Sequence, residues 1–134
     1  MSAADTGSLP LRSEQDIVFA RQAVRQIAQR LRFSLVDQTK MVTASSELAR
    51  NALVYGGGGD MHWDVVRNGA RTGLRLAFVD AGPGIADLSL ALTDGWTSGG
   101  GLGLGLTGTR RLVNDFEIDS APGRGTRVTI TRWQ

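Results

Sequence analysis

Glu47 and Asn51 are two residues whose types and spacing suit metal and proton chemistry. In a helix, side chains four positions apart lie side by side, so an amide oxygen that can bind Mg²⁺ stands next to a carboxylate that can act as a base. The pair is expected to border the apolar stripe of its helix, because the two positions are only about 40° apart. Taken alone, such a pair is more often a surface glutamate and a hydrogen-bonded asparagine, so neighbouring motifs must decide.

Asp80 stands where an apolar strand gives way to the glycine turn Asp80-Ala-Gly82-Pro-Gly84. The alternation of the strand puts Asp80 on its apolar face, where an acid needs a partner. One interpretation is that it caps the turn, as aspartate often does. The other is that it accepts a hydrogen bond from an exocyclic amine such as that of adenine, while Gly82 and Gly84 let a base or sugar approach the backbone.

A glycine run, Gly101-Leu-Gly103-Leu-Gly105, opens a predicted amphipathic helix. The free N–H groups and the positive dipole end of a helix start favour phosphate binding, with a flexible hinge as the alternative. The run does not follow a strand of a βαβ unit, so a dinucleotide-binding fingerprint is excluded. The single lysine, Lys40, lies far from any glycine run, so a P-loop is excluded as well.

The composition describes one globular domain. The 134 residues suffice for one hydrophobic core, and 41% of them are hydrophobic and 21% charged. The absence of cysteine excludes disulfides, and a single histidine leaves little for a histidine-based metal site. The net charge is only +2, and the arginines are spread along the chain with few aromatic residues. A nucleic-acid groove is therefore not expected.

The N-terminus shows no sign of export or membrane insertion. No segment reaches the roughly 18 apolar residues of a membrane span, and residues 1–12 lack the pattern of a signal peptide. We therefore expect a cytoplasmic protein with no membrane partner. Residues 1–6 are expected to be a disordered leader of a single domain that spans residues 1–134.

Three helices are predicted from apolar periodicity. Ser13-Glu-Gln-Asp16 resembles a capping box, and the helix that it opens is expected to end near Arg32. Asp37 is the expected N-cap of a second helix, which four consecutive glycines terminate. The third helix is predicted at about residues 104–114.

Strand patterns fill most of the remaining chain. The predicted strands are residues 61–68, 74–80, 116–120 and 125–133, with residues 8–12 as a further edge strand and residues 86–100 as a loop rich in small residues. Three helices and four or five strands predict an α+β sandwich whose sheet is covered on one face.

In this order, the three motifs resemble the boxes of the Bergerat-fold (GHKL) ATPases, the superfamily of gyrase, Hsp90, MutL and histidine kinases. The matching motifs are Glu47-x-x-x-Asn51, Asp80-Ala-Gly82-Pro-Gly84 and Gly101-x-Gly103-x-Gly105. Thr126, in Gly123-Arg-Gly125-Thr126, is similar to the threonine that joins the acid in adenine recognition. The resemblance spans residues 37–131.

Within that superfamily the chain resembles the anti-sigma-factor serine/threonine kinases, and among them the switch kinases of the stressosome. The segments that carry this resemblance are Asp16-Ile-Val-Phe-Ala-Arg21, Ser46-Glu-Leu-Ala-Arg-Asn51, Asp94-Gly-Trp96, Gly101-Leu-Gly-Leu-Gly-Leu106 with Gly108 and Arg110-Arg-Leu112, and Thr131-Arg-Trp133. A typical member has proline where Thr107 stands.

The resemblance implies a two-layer α/β sandwich with a mixed, mostly antiparallel sheet and three helices on one face. It also implies ATP with Mg²⁺, and transfer of the γ-phosphoryl group to a serine or threonine of a STAS-domain antagonist. Glu47 would be the base and Asn51 the metal ligand. The implied nucleotide-binding residues are Asn51, Asp80, Gly82, Gly84, Gly101, Leu102, Gly103, Leu104, Gly105, Leu106 and Thr126.

A second function of a different class stays open. The protein could be a nucleotide-dependent binding module that activates a PP2C-type phosphatase or sequesters a sigma factor, and a stressosome scaffold is a further partner that the resemblance suggests. The intact Glu47 favours catalysis, because a pure binding module needs no base. Neither the phosphorylated residue nor the oligomeric state follows from the sequence.

Overall fold

A computed structural model describes residues 5–85 and 102–134 of the chain. Gly101 and the loop expected at residues 86–100 lie outside the described residues, as do residues 1–4. Within the described part, no helix is both long and apolar enough to span a membrane.

The described residues form three helices and one five-stranded sheet. In chain order the elements are β1 (Thr6–Leu11), α1 (Glu14–Arg30), α2 (Leu35–Val54), β2 (Gly59–Asn68), β3 (Arg71–Asp80), α3 (Leu102–Arg111), β4 (Asp115–Ser120) and β5 (Thr126–Trp133). The strand order is β1-β2-β3-β5-β4, and every neighbouring pair is antiparallel. The predicted α+β class is confirmed, although the described sheet contains no parallel pair.

The edge strand β1 is longer than predicted. It begins at Thr6, which pairs with Asp64 of β2, so the expected disordered leader does not include residue 6. Thr6 Oγ1 also donates a hydrogen bond to Asp64 Oδ1 at 3.0 Å. Backbone pairing with the ten-residue strand β2 extends β1 to residues that have little strand propensity of their own.

One face of the sheet carries the helices and the hydrophobic core. Along β3, Leu74, Leu76 and Phe78 are buried, whereas Arg75 between them is exposed on the opposite face. Burial of each large apolar side chain contributes about 1.5–3 kcal/mol to folding, which fixes the register of the strands. Helix α2 is central, because it packs against α1, α3 and the sheet.

The helix starts follow from capping side chains, one of which differs from the prediction. Ser13 caps α1 as expected, accepting a hydrogen bond from the Asp16 N–H at 3.2 Å. The N-cap of α2 is Ser34 and not Asp37, since Ser34 Oγ accepts from the Asp37 N–H at 3.1 Å. Serine and aspartate cap equally well, and the earlier residue adds a turn to the helix.

Helix α3 is displaced toward the N-terminus from its predicted range. It spans Leu102–Arg111, so Gly103 and Gly105 lie inside the first turn instead of preceding the helix. The predicted end at residue 114 was therefore wrong, and Leu112 follows the helix with its N–H bonded to the carbonyl oxygen of Thr109. The first four N–H groups of any helix lack helical partners, so the free donors now belong to residues 102–105.

Candidate functional site

A small, mostly apolar cleft lies between α2, α3 and the ends of β3 and β5. It has a volume of about 40 Å³. Its lining residues are Leu48, Asn51, Ala52, Tyr55, Phe78, Asp80, Gly84, Ile85, Leu106, Thr126 and Val128. The cleft thus brings together Asn51, Asp80 and Thr126, three polar residues that the sequence analysis selected from distant parts of the chain.

Asp80 lies at the end of β3, half-buried and paired in register with Thr126 of β5. Its Oδ1 accepts a hydrogen bond from the Gly82 N–H at 2.9 Å. Burial raises the pKa of the Asp80 carboxyl, while backbone N–H groups of Gly82 and Thr126 act in the opposite direction. Asp80 therefore caps the turn and also lines the cleft, so the two interpretations of this residue are compatible.

Asn51 lies on the inner side of α2 and is half-buried. Its Nδ2 is buried and has no hydrogen-bond partner among the described residues. An unsatisfied buried amide costs about 1–3 kcal/mol, which a polar ligand in the cleft would offset. The site therefore fits a ligand that carries hydrogen-bond acceptors, such as phosphate oxygens.

Glu47 is exposed, contrary to the expectation that it borders the core beside Asn51. It lines an open groove between α1 and α2, together with Arg21 and Arg25, and makes no hydrogen bond or ion pair to any described residue. The step of about 40° between the two positions is enough, at the edge of the apolar stripe, to turn one side chain to the cleft and the other to solvent.

The glycines of the turn after β3 have a packing function within the protein. A Cβ on Gly82 would lie 2.6 Å from the Cα of Gly56, which follows α2. Gly84 has a φ of +79°, and a Cβ there would overlap the carbonyl oxygen of Ala121. Because backbone atoms are the obstacles, neither position accepts a side chain without movement of the chain.

The glycine run contributes the start of α3 to the site. Leu102, Gly103, Leu104 and Gly105 form its first turn, and Gly101 lies outside the described residues. Leu106, in the second turn, is buried and lines the cleft. The first turn, whose N–H groups lack helical partners, thus lies one turn before a residue that lines the cleft.

Two residues of the site were not recognised from the sequence. Tyr55 is not among the predicted site residues, but this C-cap of α2 lines the cleft. Ser120, at the end of β4, lies 2.8 Å from Thr126 Oγ1. The available signal was that Ser120 lies on the same strand face as Phe116 and Ile118. Asp80 was recognised by the same criterion, as a polar residue that continues the apolar face of a strand.

A cleft with an acid, an amide and a helix start suits a nucleotide, and comparison with known proteins identifies the family. Residues 36–133 match the family described as histidine kinase-, DNA gyrase B- and HSP90-like ATPases. The chain belongs to this ATPase family, so the predicted Bergerat fold is confirmed and ATP is the nucleotide that the family implies.

Full-length relatives refine the class. The chain is 40% identical over 129 residues to serine/threonine-protein kinase RsbT of Bacillus subtilis (strain 168), which covers 96% of this chain and 97% of RsbT. It is 30% identical over 125 residues to an anti-sigma F factor of Bacillus licheniformis, covering 88% of this chain and 84% of that protein. The protein is therefore of the serine/threonine-protein kinase class, and the expected kinship with anti-sigma factors is confirmed.

A solved structure supports the fold alone. The RsbU and RsbW domains of Rv1364c from Mycobacterium tuberculosis match with a TM-score of 0.66 and 18% sequence identity. The match covers 96% of this chain but only 33% of that longer one.

Proposed function

We propose that this protein transfers the γ-phosphoryl group of ATP to a serine or threonine of a STAS-domain antagonist in a bacterial partner-switching pathway. The observation that carries the proposal is the position of Glu47, exposed and without an ion pair to any described residue, one helical turn from Asn51 in the cleft. A hydroxyl on another protein can reach a base only if that base faces solvent.

Each polar group of the cleft has a defined place in this proposal. Asp80 accepts a hydrogen bond from the exocyclic amine of adenine, and Thr126 joins it from β5. The turn of Gly82 and Gly84 shapes the wall beside the base. The glycine motif of residues 101–106, of which residues 102–105 form the first turn of α3, holds the phosphates through backbone N–H groups.

Asn51 is the residue that would hold Mg²⁺, together with oxygens of the nucleotide. Magnesium sites in kinases use one or two protein ligands plus phosphate oxygens, which fits a single amide better than a protein-only cage. The ion supplies neutralisation of phosphate charge. Glu47 takes the proton of the attacking hydroxyl, and ADP leaves with the bridging oxygen, so the reaction consumes no other reactant.

Phosphate transfer and nucleotide binding together test the proposal. The protein is incubated with γ-labelled ATP and a STAS protein encoded beside its gene, and binding of ATP and GTP is measured by calorimetry. We expect preference for ATP and labelling of the STAS protein. Glu47→Gln should bind ATP normally but transfer phosphate roughly 10²–10⁴ times more slowly, the usual contribution of a general base.

Glu117→Gln is the matched control, because Glu117 is an exposed glutamate on β4, remote from α2. Transfer at the wild-type rate by Glu47→Gln would show that the mechanism is wrong. If the wild-type protein labels no STAS protein yet binds a PP2C-type phosphatase or a sigma factor, the binding-module alternative is correct. The proposal places the reaction in the cytoplasm, where ATP is available.

A further inference from the structure

The side-chain hydroxyl of Ser120 joins three segments beside the cleft. Its Oγ lies 2.8 Å from the backbone nitrogen of Ile85, 2.9 Å from the carbonyl oxygen of Gly125 and 2.8 Å from Thr126 Oγ1. Ile85 belongs to the turn after β3, whereas Gly125 and Thr126 lie at the start of β5. A single half-buried hydroxyl therefore connects the two segments that flank Asp80.

The direction of these hydrogen bonds follows from counting protons. A serine hydroxyl carries one proton and two lone pairs. The Ile85 N–H can only donate, and the carbonyl oxygen of Gly125 can only accept, so Ser120 accepts from the first and donates to the second. Only a lone pair then remains for the third contact. The hydroxyl of Thr126 must donate to Ser120, which leaves Thr126 Oγ1 able only to accept from a ligand.

Ionised Asp80, like Thr126 Oγ1, can only accept a hydrogen bond from a ligand, and it lies at the same end of the cleft. Its carboxylate has no proton to donate when ionised, and it stands opposite Thr126 in the register of β3 and β5. Both residues line the cleft. A ligand edge that carries a hydrogen-bond donor therefore finds two acceptors, Asp80 and Thr126. An edge that carries a carbonyl oxygen finds no donor in these two side chains.

We propose that Ser120 is a specificity-determining positioning residue, which fixes Thr126 as a hydrogen-bond acceptor and so makes the cleft select 6-amino purine nucleotides over 6-oxo purine nucleotides. The inference rests on the proposed placement of the base beside Asp80. Ser120 acts through Thr126 and through the Ile85 N–H, without touching the nucleotide itself.

Calorimetry with ATP and with inosine triphosphate, which carries a 6-oxo group, tests this proposal in the full-length protein. We expect the wild type to prefer ATP. Ser120→Ala frees the Thr126 hydroxyl to rotate and donate to a carbonyl, so the ratio of the two dissociation constants should fall about fivefold to tenfold. Ser120→Thr keeps a hydroxyl and should retain the wild-type ratio.

Ser45→Ala is the matched control, because Ser45 is fully buried and its hydroxyl, among the described residues, donates to the carbonyl oxygen of Val42 alone, away from the cleft. Its ratio should equal that of the wild type. If Ser120→Ala does not fold, Ser120→Cys keeps the volume while its thiol is a weak hydrogen-bonding group, and it should also lower the ratio. In a Thr126→Val background, Ser120→Ala should change the ratio no further.

The outcomes separate this inference from the proposed function. Equal affinity of the wild type for both nucleotides would overturn the placement of adenine beside Asp80. A wild type that prefers ATP, together with Ser120→Ala and Ser120→Cys variants that bind both nucleotides more weakly by the same factor, would leave the proposed function intact. That result would overturn the assignment of Ser120.

Discussion

Asp37, in the first turn of α2, is joined to Arg132, near the end of β5, through a single carboxylate oxygen. Arg132 Nε and Nη2 lie 3.1 and 2.6 Å from Asp37 Oδ1, and Nη1 donates to the carbonyl oxygen of Leu112 at 3.0 Å. The two side chains are only 24% and 16% exposed. One guanidinium thereby connects the start of the central helix, the segment after α3 and an inner strand of the sheet.

We expect Asp37→Asn to lower the free energy of unfolding by about 1–2 kcal/mol at neutral pH, because it removes the negative charge from the acceptor of two charge-assisted hydrogen bonds. The hydrogen bond from Arg132 lowers the pKa of Asp37. The stabilisation of the fold by the Asp37 carboxylate is therefore complete above the unfolded pKa of about 3.9 and is lost as pH falls through the lower folded pKa. Urea unfolding near neutral pH and at about pH 2 measures the free energy of unfolding. The difference between the wild type and Asp37→Asn should be smaller at the acid pH.

Glu14→Gln is the control for this ion pair. Glu14 bonds Arg50 at 3.2 Å across α1 and α2, but the side chains are 69% and 48% exposed. Such exposed pairs contribute less than about 1 kcal/mol. Equal losses from the two variants would contradict a special contribution of the Asp37–Arg132 pair.

Asn51→Ala should abolish ATP binding, with or without Mg²⁺, and should not destabilise the free protein. The amide Nδ2 has no hydrogen-bond partner among the described residues, so its removal breaks no described bond to that atom. Calorimetry and thermal unfolding measure the two effects. Asn68→Ala, at the exposed end of β2, should alter neither, and unchanged ATP binding by Asn51→Ala would refute its assignment.

Asp80→Asn is expected to raise the unfolding temperature of the nucleotide-free protein and to weaken ATP binding. Burial raises the pKa of Asp80, so its ionised form disfavours the folded state at neutral pH, whereas a neutral amide can still accept the Gly82 N–H. The gain should disappear as pH falls below the folded pKa of Asp80, because the wild-type carboxyl is then neutral too.

Thermal unfolding with and without ATP measures both effects, since a ligand that binds only the folded state raises the midpoint. Asp119→Asn is the control, because Asp119 is exposed on β4. A lower midpoint for nucleotide-free Asp80→Asn at neutral pH would show that the carboxylate stabilises the empty cleft.

Gly82→Ala and Gly108→Ala should have opposite effects. A Cβ on Gly82 would meet backbone atoms of Gly56 at 2.6–3.0 Å, and such overpacking costs about 1–3 kcal/mol. A Cβ on Gly108, in the exposed part of α3, would meet no atom of the described residues within 4 Å, and alanine is favoured there by about 0.5–1 kcal/mol. Chemical unfolding of both variants decides this, and equal stabilities would contradict the packing described for Gly82.

Local patterns were sufficient for most of the fold. The alternation of Leu74, Leu76 and Phe78 predicted β3 and placed Asp80 on the buried face, because side-chain direction in a strand depends only on parity. The start of α1 was predicted from another local pattern, the capping residue Ser13. By contrast, Ser34 and Asp37 are equivalent as caps in isolation, and in the structure Ser34 caps the helix while the Asp37 carboxylate binds Arg132 of the distant strand β5.

The remaining errors concern relations between distant segments. The exposure of Glu47 depends on which flank of α2 the neighbouring α1 leaves open. The contact of Ser120 with Thr126 requires the pairing of β4 with β5, and the close approach of Gly82 to Gly56 requires the end of α2 to meet the turn after β3. No single segment encodes these juxtapositions, so a pattern within one segment could not predict them.

The position of β5 has a consequence for biosynthesis. Along the chain β5 follows the other four described strands, yet in the sheet it lies between β3 and β4. During translation, β3 therefore has an unpaired edge beside the apolar Leu76 and Phe78 until β5 emerges from the ribosome. Unpaired apolar edges favour association between nascent chains. The register of Asp80 with Thr126 forms only at this late stage, so a cleft that contains both residues is not available to nucleotide during the earlier steps of folding.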